Sequence, residues 1–280
     1  MEYDISLPVG KSADLHQRAG KTWLLNEPLS PCAQILHTAG PIASPAFHTL
    51  ATPELLEKSC LQDMLSARCC LGIQHKPIIV WEPDPTRCKR QHLEEHVNAC
   101  AWVDVFSPTH TELVALCTPG DQEVSPNDQQ PSIQLIEDYA RRFLKASMKN
   151  AVEDATVIAV RAGKHGCLVM SVKHGKRWFP AFYENGSKKI VDVDGAGSAF
   201  LGAFTYVLQT TGSMTEAAIY GIVAASFAME QIGLPVLSSE EDADRWNEED
   251  VVRRLDAYRW TNYHKKWSPW ENVQHVSGAS

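Results

Sequence analysis

Three small residues, Gly195-Ala196-Gly197, lie between Lys189-Ile190-Val191-Asp192, which has the composition of a strand, and Ala199-Phe200-Leu201-Gly202-Ala203-Phe204, which has that of a helix. At such a junction the backbone can approach a ligand closely. The first unpaired N–H groups of the helix, backed by its dipole, then favour a phosphate or another anion. The same triplet also serves as a plain tight turn. Ser198 follows at once, but no histidine and acid are spaced to make it a nucleophile. His92 and His96 stand four apart beside Glu94 and Glu95. Their order, H-L-E-E-H, puts the carboxylate in a different place from the zinc-binding H-E-x-x-H, and no third ligand is in view, so a solvated helix face is expected.

These groups belong to a chain of 280 residues, enough for one large domain or a domain with an appendage. Residues of the AVILMFWYC set make up 44%, which suffices for a sizeable core and excludes disorder along the whole length. The 26 basic residues against 34 acidic ones give a formal charge of -8, and the basic ones form no long run. That balance offers no footprint for nucleic acid or an anionic membrane surface, though a local basic cleft for a phosphorylated small molecule remains compatible with it. The eight cysteines form no CxxC pair and are expected to be reduced thiols. The N-terminal Met1-Glu2-Tyr3-Asp4-Ile5-Ser6 lacks the basic and apolar regions of a signal peptide. The longest apolar stretch, Ala217 to Met229, is too short to span a bilayer. A soluble, cytoplasmic protein is the expectation.

The elements that must position the triplet alternate between helix and strand. Residues 1–50 carry scattered Pro and Gly and predict loops with at most a short hairpin. Pro53 to Leu65 predicts a helix, Ile78-Ile79-Val80-Trp81 a buried strand, Arg90 to Cys100 a helix, and Val103 to Phe106 a strand. Ser107-Pro108-Thr109 opens a helix with Glu112 in its first turn. Ser132 caps an amphipathic helix with Ile133, Ile136, Tyr139, Phe143 and Leu144 on one side. Val157 to Val160 and Cys167 to Val172 predict two strands joined by a turn. Ser213 caps a helix that runs to about Gln231, and a last helix is expected near Asp250 to Trp260, with the tail tryptophans 246, 260, 267 and 270 packed on the outer helices. Such alternation predicts an α/β layered fold with a mostly parallel sheet.

The run Asp192-Val193-Asp194-Gly195-Ala196-Gly197-Ser198-Ala199-Phe200-Leu201-Gly202-Ala203-Phe204 resembles the second signature of the PfkB family of carbohydrate and nucleoside kinases, D-T-x-G-A-G-D-x-F-x-G-x-F. Three more segments are similar to family motifs and fall in the family's order. Ile79-Val80-Trp81-Glu82-Pro83-Asp84-Pro85 resembles its central strand ending in D-P-N, Val105 to Leu113 its P-N-x-x-E-L, and Val160 to Gly166 its T-x-G-x-x-G. The run Ala225 to Pro235 is similar to fungal PfkB-like proteins of the maintenance-of-killer group, and the resemblance covers residues 47 to about 260. It implies a ribokinase-like, three-layer α/β/α fold. It also implies ATP with its terminal phosphates over Gly195, Ala196 and Gly197, Thr109 and Glu112 near magnesium and phosphate, and Arg161 and Gly163 along the nucleotide.

The departures from the family pattern fall on those same positions. Where the family has its aspartate base the chain has Ser198, and loss of a general base costs on the order of a hundred- to ten-thousand-fold in rate. Asp194 or Asp192 would substitute only if the turn rotates one of them toward the acceptor. Asp192 is better placed to tie down the loop. Thr109 replaces an asparagine and Arg161 a threonine. Facing the cleft, Arg161 would bind phosphate or occupy the nucleotide's place; facing solvent, it is a plain strand-end charge. The central strand arrives early, and neither a β-lid nor a G-G-x-x-x-N signature precedes it. Thr22-Trp23-Leu24-Leu25-Asn26 is at most a lid remnant, so enclosure of a sugar and exclusion of water are compromised.

The organisation expected is an irregular segment over 1–50, a ribokinase-like core lacking the lid region over 51–237, and a Trp-rich helical extension over 238–280. The function expected is that of a degenerate kinase homologue that keeps an anion or nucleotide cleft and serves as a binding protein or repurposed enzyme in fungal small-molecule metabolism. The competing expectations are an active ATP- and magnesium-dependent phosphotransferase acting on a hydroxyl, and a structural protein that dimerises through the sheet surface left by the missing lid.

Overall fold

A computed structural model describes residues 41–56, 61–118, 131–147, 156–238 and 245–263 of the chain. Strands β1 (Ala46–Ala51), β2 (Ile78–Pro83), β3 (Val105–Phe106) and β4 (Val157–Arg161) lie side by side in that order and run parallel. β5 (Cys167–Ser171) and β6 (Gly175–Phe179) continue the sheet antiparallel. The strand residues alternate between two apolar cores. Ile79, Trp81, Phe106, Ile158, Val160, Leu168 and Met170 face one side, while Val80, Val105, Val157, Ala159, Cys167, Val169 and Phe179 face the other. Burial on both faces is why these strands read as continuous apolar runs rather than alternating ones.

The first core is closed by α1 (Leu61–Cys70), α2 (Leu93–Ala99), α3 (His110–Cys117) and α4 (Ile133–Ser147). The second is closed by α5 (Ala196–Thr211), α6 (Met214–Ala228) and α7 (Val251–Tyr263). The outcome is the three-layer α/β/α arrangement around a mostly parallel sheet. Helix starts follow their caps. The Ser213 hydroxyl accepts the Glu216 N–H at 3.2 Å, and the Ser132 hydroxyl accepts that of Leu135 at 3.2 Å.

Several local expectations are corrected. Residues 189–192 form no strand; the N–H groups of Val191 and Asp192 both donate to the Met229 carbonyl, at 2.8 and 3.3 Å, so the segment is moored to the end of α6 instead of the sheet. β1 stands where loops were expected, and β6 adds a strand beyond those read from the sequence. Ile133 is 45% exposed, because the buried stripe of α4 begins one turn later at Ile136. His96 is not on a solvated face: it is fully buried, stacks on Trp81 with ring centroids 5.5 Å apart, and donates from Nδ1 to the His92 carbonyl at 2.8 Å. Trp260 is 70% exposed rather than packed on an outer helix, and Trp246 is also exposed.

Cys69, Cys70, Cys88, Cys100, Cys117 and Cys167 are free thiols. No helix among the described residues is long and apolar enough to cross a membrane. The stretch 22–26, Cys32, Cys60, Trp267 and Trp270 lie outside the described residues.

Candidate functional site

The C-terminal ends of β2, β3 and β4 bring three charged groups together. Glu82 sits at the end of β2, Glu112 in the first turn of α3 just past β3, and Arg161 at the end of β4. The chain past β3 continues alongside β4: the Arg161 N–H donates to the Pro108 carbonyl at 2.9 Å, and Thr109 bridges to Arg161. Thr109 and Glu112 form a capping box, with the Glu112 N–H donating to the Thr109 hydroxyl at 3.2 Å and Glu112 Oε2 accepting the Thr109 N–H at 2.7 Å.

The Arg161 side chain, only 11% exposed, reaches inward. Its Nη1 lies 2.7 Å from Glu82 Oε1, and its Nη2 donates to the Ser107 carbonyl at 3.1 Å and lies 3.9 Å from Glu112 Oε2. The other oxygen of Glu82 accepts from His48 Nε2 at 2.9 Å. Arg161 Nε is buried without a partner. The guanidinium also comes up to the first turn of α5: a Cβ on Gly197 would lie 2.5 Å from Nη1, so a larger residue there would make the arginine shift. The reading of Arg161 as a solvated strand-end charge is therefore corrected to a cleft-facing one.

The triplet 195–197 is less open than the sequence implies. The Ala196 N–H turns back to the Val193 carbonyl at 3.2 Å, and Arg161 stands over Gly197, so the expectation that the amides of this elbow are free is corrected for Ala196. The cause is the left-handed N-cap at Gly195, with φ 79°, which closes a turn just before the helix. The amides of Gly197 and Ser198 meet no acceptor among the described residues. Asp192 Oδ1 accepts the Asp194 N–H at 3.0 Å and so pins this same loop. Asp194 and Ser198 are exposed.

Beside the elbow a cleft of about 150 Å3 opens between Arg161, Gly163, Phe182, Gly197, Phe200 and Met229. Small-molecule sites usually measure roughly 300–1,000 Å3, so this one has room for a flat ring rather than a whole nucleotide. The structure thus joins Thr109, Glu112, Arg161, Gly163 and Gly197 around one end of the sheet. Glu82 and His48 were missed. Glu82 had a signal, since it lies in the D-P-N-like segment at the end of its strand; His48 had none.

Burial works to raise the Glu82 carboxyl, but the His48 hydrogen bond and the Arg161 charge outweigh it and hold the group below its ordinary range. Glu112 moves the other way, because burial outweighs the Thr109 amide and the Arg161 charge and pushes it up. The consequences for stability are opposite in sign. Glu82 contributes fully above the unfolded value of about 4.3 and loses that contribution as the pH falls through its lower folded value. Glu112 weakens the fold above its raised value, and that cost is relieved as the pH falls through it. Glu82→Gln is therefore expected to flatten the acid loss of stability, and Glu112→Gln, which can keep the capping box, to remove the gain on mild acidification. Urea unfolding across a pH series checks both; parallel profiles for the two variants and the wild type would refute the assignment.

Magnesium does not fit these residues. It requires near-octahedral oxygen ligands at about 2.0–2.1 Å, whereas both oxygens of Glu82 and one of Glu112 are already engaged, and the guanidinium stands between them. Among the described residues no three His, Cys, Asp or Glu side chains gather to hold a metal ion.

The profile of pfkB family carbohydrate kinases matches residues 13–240. The chain is 29% identical over 204 residues to an uncharacterized protein of Schizosaccharomyces pombe, which covers 67% of this chain and 53% of that protein. It is 28% identical over 220 residues to protein MAK32 of Saccharomyces cerevisiae, covering 76% of this chain and 56% of MAK32. The chain spans about half the length of these curated relatives. Among solved structures, the ribokinase of Giardia lamblia superposes with a TM-score of 0.51 at 14% identity, over 72% of this chain and 60% of that one.

Proposed function

We propose that this chain, which belongs to the pfkB family of carbohydrate kinases, is a degenerate member that keeps an anion cleft and has lost efficient phosphoryl transfer. The observation that carries this reading is the Arg161 guanidinium, set between Glu82, Glu112 and Gly197 with one donor still uncommitted. Phosphoryl transfer depends on positioning, on charge stabilisation and on a group that takes the proton of the attacking hydroxyl. The base position holds Ser198, whose hydroxyl is too weakly basic for that task near neutral pH. Asp192 is engaged in its own turn, which argues against it as a substitute base. The ligand class supported is a phosphorylated small molecule with a flat ring, the phosphate meeting Gly197, Ser198 and Arg161 and the ring entering the apolar cleft. ATP is the first to test.

Calorimetric titration with ATP, paired with an assay of ADP release over a panel of sugar and nucleoside acceptors, is expected to give binding without turnover. Turnover at the rate of an ordinary kinase would overturn the degenerate reading, and absence of binding would overturn the cleft. In a binding-competent protein, Ser198→Asp separates the causes: a gain in ATP consumption assigns the defect to the missing base, and unchanged inactivity assigns it to Arg161 and the acceptor side.

A further inference from the structure

We infer that Arg161 stands in for a divalent cation at this cleft, so that an anionic phosphate ligand binds there without metal; the inference deepens the anion cleft proposed above and rests on it. A guanidinium is charged at every accessible pH and carries five N–H donors in a fixed plane, which suits it to phosphate oxygens. Here three neighbours fix that plane: Glu82 at 2.7 Å, the Ser107 carbonyl at 3.1 Å, and the face of Gly197. The Nε donor is buried without a partner, on a side chain that lines the cleft.

Two further donors lie at the same elbow, the unpaired amides of Gly197 and Ser198. The carboxylates around Arg161 are held by other groups, Glu82 Oε2 by His48 and Glu112 Oε2 by the Thr109 N–H. They hold the arginine in place and leave no open ligand set for an ion. A divalent cation entering here would meet a fixed positive charge where it needs oxygens. The cation that faces these carboxylates is thus part of the chain instead of being recruited from solution.

The test is titration of the wild-type protein with ATP, once in excess EDTA and once in excess magnesium. Equal affinity in the two conditions, with Arg161→Thr losing about tenfold in EDTA, is the expected result. Arg161→Lys, which keeps the charge but not the fork, serves if the threonine variant does not fold, and is expected to lose part of the affinity. Wild-type binding that tightens about tenfold or more with magnesium would overturn the inference and leave the cleft intact. Metal-free binding unchanged by either substitution would overturn the role of Arg161. No binding in either condition would overturn the cleft, and the inference with it.

Discussion

Gly166→Ala is expected to be among the most damaging single substitutions in the chain, lowering stability by about 4 kcal/mol. Gly166 follows the turn Gly163–His165 with φ 87° and ψ -127°, a region that L-residues avoid at a cost of about 1–3 kcal/mol. Space is also lacking. A Cβ there would overlap the Phe179 carbonyl oxygen and press on the backbone of Pro180 and Ala181, none of which is a side chain able to swing aside. The turn is further tied by the Ala162 N–H donating to the Gly166 carbonyl at 2.7 Å, so relief requires moving the β4–β5 hairpin against β6. At roughly 2–4 °C per kcal/mol, the midpoint of thermal unfolding should fall by about 10 °C. A midpoint unchanged from wild type would mean that the turn does not hold this geometry in solution.

Arg161→Met is expected to cost about 3 kcal/mol, since it strands Glu82 and Glu112 in a largely buried site. Removing one partner of a buried pair typically costs about 3–5 kcal/mol, and the lower end applies here because the groups keep some exposure. Adding Glu82→Gln to Arg161→Met removes the stranded charge and should recover about half of the loss. Denaturant unfolding of the two single variants and the double variant reads the coupling. Strictly additive losses would mean that Arg161 and Glu82 do not interact energetically.

The layered architecture is legible in the sequence because its causes are local. Val80 and Trp81 belong to a run apolar at every position, which fits a strand covered on both sides, and Thr109 with Glu112 carries the capping pattern in four consecutive residues. β6 was not legible, since Gly175-Lys176-Arg177-Trp178-Phe179 is a charged edge strand whose place is set by its neighbour β5. Residues 189–192 mimic a strand in composition, and what overrules them is a distant acceptor, the Met229 carbonyl. His96 carries no local sign of burial; stacking on Trp81 decides it.

At the site, the positions of Gly197, Glu112 and Arg161 follow from motif order, because each motif ends a strand or begins a helix at the same edge of the sheet. The direction of the Arg161 side chain does not. It depends on Glu82 and His48, which reach the same spot only after three parallel crossovers, and on a glycine in a helix of the opposite layer. Spacing along a chain holds no record of such a meeting.

The two helical layers, one built before β4 and the other after β6, fix an order during synthesis. His48, Glu82, Glu112 and Arg161 all precede α5 in the chain, so every member of the ion cluster is synthesised before the helix that faces it. The far wall of the cleft, from Phe200 to Met229, is synthesised after them. Gly197 belongs to that later part, so its contact with the guanidinium joins what is made early to what is made late.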